Sequence, residues 1–532
     1  MKQSILLRAL VVLAILLPSL HCHQQRKSSS GGGTGVEQRA TVQVDAAALM
    51  LPQVFSDHMV LQRDMEVPVW GKATAGQNVT VEYAGKKVNA TADEKGEWRA
   101  KLPPLKVGDA TSLTITGQEP QKPIVLKDVL VGDVWICSGQ SNMQWELRRA
   151  RDGQAEADKA KYPNLRLYQV PRRSSTQPSK ELERPAAATQ PAQQMQAQWA
   201  VCTPQTAIEF SAVGYFFARE LLEKQPEVPI GLIQNAWGGM PVESFMSEEA
   251  IKADPDFHIL LEKRDKSTTQ EVRGPNGGLR PPNGPQWATN IYNRMVYPLL
   301  PYAIKGTIWY QGESNAPRAE QYRKLFPAMI RDWRKQWGQG DFPFLFVQLA
   351  NFGNGKPRPE QPGDSQWAEL REAQTMTLSA VPKTGMAVII DIGENKDIHP
   401  KNKQDVGKRL ALAAQKIAYG KDDIEFSGPI YREMQADGGK IRIKFDHAKG
   451  LKTRDGSAPK GFEIAGEDKK FVWTDAKIDG QDVLVSSSQV TKPVAVRYGW
   501  ADDPAVSLYN AADLPASPFR TDDWPMVTAG KK

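Results

Sequence analysis

The 532 residues allow two to four domains with cores of their own, and 40% hydrophobic and 24% charged residues are ordinary for a soluble protein. The formal charge of +7 falls to +5 once Lys2 and Arg8 of the leader are set aside. No dense Lys/Arg block carries interleaved aromatics, which excludes nucleic acid as a partner. The 14 Trp suit a protein that holds sugars, although most Trp residues serve as core.

In chain order, residues 1–22 read as an export signal. Lys2 and Arg8 are its cations, and the apolar run Ala9 to Leu20 is too short to span a bilayer comfortably. The protein is therefore expected in the periplasm or outside the cell. Cys22 stands where a lipoprotein carries its anchored cysteine, but His21 replaces the small residue such processing wants; a membrane enters only if Cys22 is lipidated. Residues 23–49, rich in Gln, Ser, Gly and Ala, read as a flexible linker. Residues 50–130 alternate in short runs (Val67 to Trp70, Val79 to Tyr83, Trp98 to Leu102, Leu113 to Thr116) between turns such as Ala75 to Asn78, which predicts a β-sandwich module.

From Val131 the texture changes. Apolar strands are predicted at Val134 to Cys137, Ile230 to Gln234, Gly306 to Tyr310, Phe344 to Gln348 and Met386 to Ile390. Helices are predicted at Phe210 to Leu222, Tyr322 to Gln336 and Asp405 to Tyr419. This alternation predicts an α/β domain over residues 131–422, a parallel sheet with helices on both faces whose strand ends converge on one crevice. Polar, Pro-rich stretches at Pro171 to Gln198, Lys263 to Gln286 and Gly353 to Gln366 read as surface insertions around it. Over residues 423–532 strands return (Lys440 to Phe445, Phe462 to Ile464, Lys470 to Trp473, Val483 to Ser486, Val494 to Tyr498), as a second all-β module.

The run Cys137-Ser-Gly-Gln-Ser-Asn-Met143 takes a buried strand straight into a tight polar turn. It suits either an N-capped strand-to-helix turn or a turn that presents Ser141 as a nucleophile beside its own backbone N–H. It is not the Gly-x-Ser-x-Gly elbow, because position 143 is Met. Of six His, His21 and His23 lie in the leader and linker, and His58 and His447 in the β modules. His258 has no apolar strand just before it. Only His399 follows a predicted strand of the α/β domain, with Asp397 close by, so it is the candidate general base and Asp397 its acid. Gly238-Gly239 offers backbone N–H groups and Gln311 or Asn315 a side-chain amide for an oxyanion; Glu313 suits an anchor between loops. Cys137 reads as a buried thiol, and a bridge to Cys202 cannot be read from spacing. No Cys/His cluster has metal-ligand spacing, so neither metal nor cofactor is expected.

Four blocks, Ser138-Gly-Gln-Ser-Asn-Met143, Trp237-Gly-Gly-Met-Pro-Val-Glu243, Ile308-Trp-Tyr-Gln-Gly-Glu-Ser-Asn315 and Asp397-Ile-His-Pro-Lys-Asn-Lys403, resemble the sialate O-acetylesterase family. That family is a branch of the SGNH hydrolases related to some acetylxylan esterases. The similarity extends to Phe55 to Gln62 and Leu514 to Thr521, in the same order. The resemblance implies an SGNH-type α/β domain flanked by all-β modules, and removal of acetyl groups from sugar hydroxyls. Ser141 would be the nucleophile and His399 the base; Ser141, Gly239, Gln311 and Asn315 would be the oxyanion donors. Two departures stand out. The usual Asp-x-x-His spacing meets Lys396, so Asp397, with Asp391 or a bare Ser–His dyad behind it, takes the acid's place. The third block also lacks the Gly-x-Asn-Asp of many SGNH enzymes. The expected substrate is an O-acetylated sugar or polysaccharide, either sialic acid or a plant or algal polymer such as xylan. A secreted carbohydrate-binding protein on an inactive scaffold is the alternative from another class.

Overall fold

The structure, a computed structural model, describes residues 49–532 apart from residue 120, residues 183–196 and residues 275–276. The expected signal peptide, nearly all of the linker and Cys22 lie outside the described residues, as does the middle of the stretch from Pro171 to Gln198.

The N-terminal module is built from β1 (Val60–Gln62), β2 (Val67–Lys72), β3 (Asn78–Tyr83), β4 (Lys86–Thr91), β5 (Glu97–Leu102) and β6 (Thr111–Thr116). In β3 the inward Val79, Val81 and Tyr83 alternate with more exposed Asn78, Thr80 and Glu82, the period-two pattern of a sheet with one wet face. β3 pairs antiparallel with β4 and β6, and β2 with β5. β7 (Ile124–Gly139) then serves two sheets. Its first half pairs antiparallel with β6, and its second half forms the middle of a parallel sheet. The expected division at residue 130 therefore falls inside one unbroken strand, buried from Val129 to Gly139.

The parallel sheet adds β8 (Tyr162–Gln169), β9 (Trp199–Cys202), β10 (Ile230–Ala236), β11 (Gly306–Tyr310), β12 (Phe344–Gln348) and β13 (Thr384–Val388), in the order β13-β12-β11-β7-β10-β8-β9 with β9 antiparallel at the edge. Among its helices are α1 (Ser141–Gln144), α2 (Ala212–Lys224), α3 (Ala319–Trp337), α4 (Gln366–Ala380) and α5 (Lys403–Ile417). Strand register sorts them by face. Trp135 packs edge-on to Phe217 of α2, with Cys137 on the same side of the strand against Gly214. Trp309, paired with Ser138 and so on the opposite side, packs on Phe326 and Trp333 of α3. Helices thus cover both faces, as expected.

The same register aligns the strand ends. Ser138 lies opposite Asn235 and Trp309, and Gly139 opposite Ala236 and Tyr310. Gly139 has φ +132°, and a Cβ there would lie 2.2 Å from the Tyr310 carbonyl oxygen, so only glycine lets β7 leave the sheet this close to β11. Cys137 and Cys202 are both free, buried thiols.

Polar fasteners join the modules. The 1%-exposed Asp133 carboxylate takes two 2.9 Å bonds from Arg63 and further bonds from Gln62 and Tyr419. After α5 the chain forms antiparallel strands from Ile430 onward, and this C-terminal module returns to the sheet through Arg371 of α4. The Arg371 guanidinium, fully buried, donates to the carbonyls of Leu349, Ala350, Ala501 and Asp502, and burial lowers its pKa to about 9.

Candidate active site

Ser141 opens α1 directly after the β7 turn, and His399 lies on the loop between β13 and α5. The His399 Nε2 is 2.8 Å from the Ser141 Oγ, a hydrogen bond across 258 residues of chain. Among the remaining described histidines, His58 bonds Asp128, His258 the Lys252 carbonyl oxygen and His447 Glu425. Only His399 meets a serine.

Asp397 Oδ1 accepts the backbone N–H of His399 at 2.9 Å and lies 3.5 Å from Nδ1. It fixes the loop and faces the ring nitrogen, slightly beyond ordinary bond length, a looseness typical of substrate-free sites. Asp391, the alternative acid, is instead held by Arg409 at 2.6 and 2.9 Å with Tyr509 at 3.4 Å, and belongs to a structural ion pair.

The imidazole is braced by a stack that the sequence did not signal. Trp145 lies nearly parallel to it, with ring centroids 4.7 Å apart and planes at 18°, and the Arg149 guanidinium covers the far face of Trp145 at 3.6 Å. Burial, followed by the positive charge of Lys403, lowers the His399 pKa from its ordinary 6.5. Arg149 acts in the same direction and Asp397 opposes it. The lowered pKa favours the neutral ring, the form a general base needs.

Gly238 and Gly239 follow β10. The Gly238 N–H donates to Gln144 Oε1 at 2.9 Å, and a Cβ at 238 would come within 3.1 Å of the Ser141 Cβ. Gly239, at φ +76°, has an N–H with no acceptor among the described residues, and the Ser141 N–H, at the start of α1, has none either. These two backbone groups match the expected oxyanion donors. The amides expected beside them are not presented to Ser141. Gln311 donates to Asn315 Oδ1 (2.6 Å) and the Met240 carbonyl (3.4 Å) and accepts from Tyr322. Asn315 accepts the Val242 N–H and donates to Glu243. Neither exposes any surface, so both brace the Gly239–Glu243 loop from behind. Glu313 anchors loops as the sequence suggested, accepting from Asn142 Nδ2 at 2.6 Å. Beyond Gly239 opens a cavity of about 270 Å³, bordered by Trp287, Lys263, Arg280 and Arg318.

A serine hydroxyl bonded to an imidazole, at the C-terminal edge of a parallel sheet and beside two N–H groups without an acceptor among the described residues, is the arrangement of an α/β ester hydrolase. Comparison with known proteins places it further. Residues 131–416 match the model of the family described as carbohydrate esterase, sialic acid-specific acetylesterase. The sialate O-acetylesterases of Rattus norvegicus and Homo sapiens are each 30% identical to it, covering 87% of this chain and 92% and 91% of theirs. The solved structure of a carbohydrate acetylesterase from Xanthomonas citri is similar at TM-score 0.78 and 41% identity, over 90% of this chain and all of that one. The chain belongs to the sialic acid-specific acetylesterase family of carbohydrate esterases, and it is an ester hydrolase.

Proposed function

We propose that the protein removes O-acetyl groups from sugar hydroxyls by a two-step serine mechanism, and that its substrate class is O-acetylated sialic acid. The observation that carries the mechanism is the 2.8 Å contact between Ser141 Oγ and His399 Nε2. His399 takes the Ser141 proton as Oγ bonds to the acetyl carbonyl carbon. The oxyanion of the tetrahedral intermediate is received by the N–H groups of Ser141 and Gly239, each such donor contributing about 2.7–4 kcal/mol to lowering the barrier. The intermediate collapses with loss of the sugar alkoxide, which takes the proton from His399. Water, deprotonated by His399, then cleaves the acetyl-serine and releases acetate. Asp397 orients the imidazole and offsets its charge.

The acidic-sugar reading draws support from the cavity beyond Gly239. Arg318 is neutralised by Glu243 at 2.6 Å and the Lys263 ammonium donates to the Lys532 oxygen at 2.7 Å, which leaves Arg280 as positive charge beside Trp287, an aromatic of the kind on which sugar rings stack. A second reading, an acetylated carbohydrate other than sialic acid, such as a polysaccharide, is left open by the 41% identity to the Xanthomonas citri protein, which is described only as a carbohydrate acetylesterase. Acetate release from O-acetylated sialic acid and from acetylated xylan, each with wild type and Ser141→Ala, separates them. Faster turnover of the sialic acid supports the first reading. Faster turnover of xylan moves the substrate to polysaccharide, and equal release by wild type and Ser141→Ala removes the mechanism. The leader read from residues 1–22 supports export of the enzyme; a mature N-terminus at or after Cys22 in a periplasmic or culture fraction tests that reading, and full-length protein confined to the cytoplasm would contradict it.

A further inference from the structure

Asn142, directly after the nucleophile, is 1% exposed and has three partners. Its Oδ1 accepts from Lys403 Nζ, and its Nδ2 donates to Glu313 Oε1 at 2.6 Å and to the carbonyl of Ile398 at 3.0 Å. Ile398 directly precedes His399. One side chain therefore ties the residue after the nucleophile to the residue before the base. The amide has two faces, and charge selects between them: an ammonium stands at the oxygen and a carboxylate at the nitrogen. Flipping it would set the oxygen against Glu313 and the nitrogen against Lys403, and the Ile398 carbonyl would lose its donor.

The cost of this arrangement argues for a role in the reaction. Lys403 exposes none of its surface, and among the described residues the Asn142 oxygen is the one hydrogen-bond partner of its Nζ. The other contacts of the ammonium are ring faces, Tyr310 at 5.2 Å and Trp145 at 5.8 Å. Glu313 Oε2 is likewise out of solvent without a partner. A fold gains little from burying two ionisable groups separated by an amide, because keeping either charged carries a desolvation cost of several kcal/mol; burial accordingly raises the Glu313 pKa and lowers that of Lys403.

We propose that Lys403 and Glu313 are positioning residues for ester cleavage: gripping opposite ends of the Asn142 side chain, they clamp the turn carrying Ser141 to the loop carrying His399. The inference rests on the serine mechanism above. It has an electrostatic consequence through Trp145, whose ring Lys403 and His399 share. The charged groups acting on His399 are Lys403 and Arg149, which lower its pKa, and Asp397, which raises it. Those acting on Lys403 are Glu313, Asp397 and Glu394. Burial brings the Lys403 pKa down to about 7, so over the more acidic range in which His399 titrates Lys403 is mostly charged and favours the neutral imidazole.

The test is the pH profile of kcat and KM for acetyl ester hydrolysis by the full chain, comparing wild type with Lys403→Met and the near-isosteric Asn142→Asp. Lys403→Met is expected to lower kcat about 10²-fold with KM within about twofold, and to move the acidic limb of the profile to higher pH. Asn142→Asp, which loses the donor to Ile398, is expected to lower kcat similarly even if Lys403→Met does not fold. Wild-type kcat and an unmoved acidic limb in folded Lys403→Met, or wild-type kcat in Asn142→Asp, overturns the clamp. Activity that survives in Ser141→Ala overturns instead the mechanism on which it rests.

Discussion

At the scale of residues, the His399 ring is governed by what stands around it more than by its acid. Asp397 is 37% exposed and at a long 3.5 Å from Nδ1, whereas Trp145 is buried and stacked on the ring. Loss of Asp397 is accordingly expected to reduce kcat less than loss of Ser141 or His399, each of which should lower it by about 10⁴-fold or more. Trp145→Ala removes a stack with an energy of about 0.5–1.5 kcal/mol, and kcat should fall by up to about tenfold, with stability read in parallel by thermal melting. The pH dependence follows from the depressed pKa of His399. A base works when neutral, and imidazole is neutral above its pKa, so kcat/KM should rise with pH through a midpoint below 6.5 and then level off. A midpoint above 6.5 contradicts the electrostatics described here. The core pair was legible in the sequence because histidine is scarce and strand ends are informative. Trp145, Arg149, Asn142 and Lys403 act through contacts that no spacing announces, even though Asn142 and Lys403 lie within the matching blocks.

At the scale of elements, legibility follows burial chemistry. β11 and β12 have the bounds their apolar runs predicted, and α3 extends the predicted helix by three residues at its start and one at its end. Strand β13 begins and ends two residues earlier than expected, its apolar run continuing past it into the turn at Ile389 and Ile390. β8 escaped notice because Arg166 interrupts its apolar pattern; the structure buries that arginine against Asp128 at 2.5 Å, in the same knot as His58. α4 escaped notice because Glu369, Arg371 and Gln374 occupy buried positions on it. Each of them reaches backbone groups, so its inward face does not read as apolar. The turn after β7 yields the test at this scale. Gly139→Ala places a methyl group 2.2 Å from the Tyr310 carbonyl at a positive φ, and a loss of more than about 1–3 kcal/mol of stability is expected in chemical denaturation. Wild-type stability would show that β7 and β11 do not approach so closely.

At the scale of the whole molecule, the flanking β modules hold the site from two sides. On the N-terminal side, Asp133 of β7 is the joint. Asp133→Ala leaves Arg63 without its carboxylate and is expected to cost about 3–5 kcal/mol, measured by denaturant unfolding. On the C-terminal side, Asp503 bonds Asn351 at 2.7 Å and Asn395 at 2.8 Å, and Asn351 in turn accepts the Gly393 N–H. The loop that presents Asp397 and His399 is thus moored to the C-terminal module, and Asp503→Ala should lower kcat about tenfold or more with little change in the melting of the sheet. This dependence accounts for similarity that runs through all the modules and includes Phe55 to Gln62, which does not touch the site: Ser56 and Gln62 fasten the N-terminal module to Trp199 and Asp133, and His58 holds Asp128, which in turn binds Arg166 of β8.

The central claim is that Ser141, activated by His399, carries the acetyl group. It is tested most directly by mixing the protein with an acetylated substrate, quenching in acid during turnover, and mapping the modified peptide by mass spectrometry. A single acetyl group on Ser141, absent in Ser141→Ala and strongly reduced in His399→Ala, is the predicted result. Full hydrolytic activity in Ser141→Ala, or an acetyl group carried by a different side chain, would contradict it.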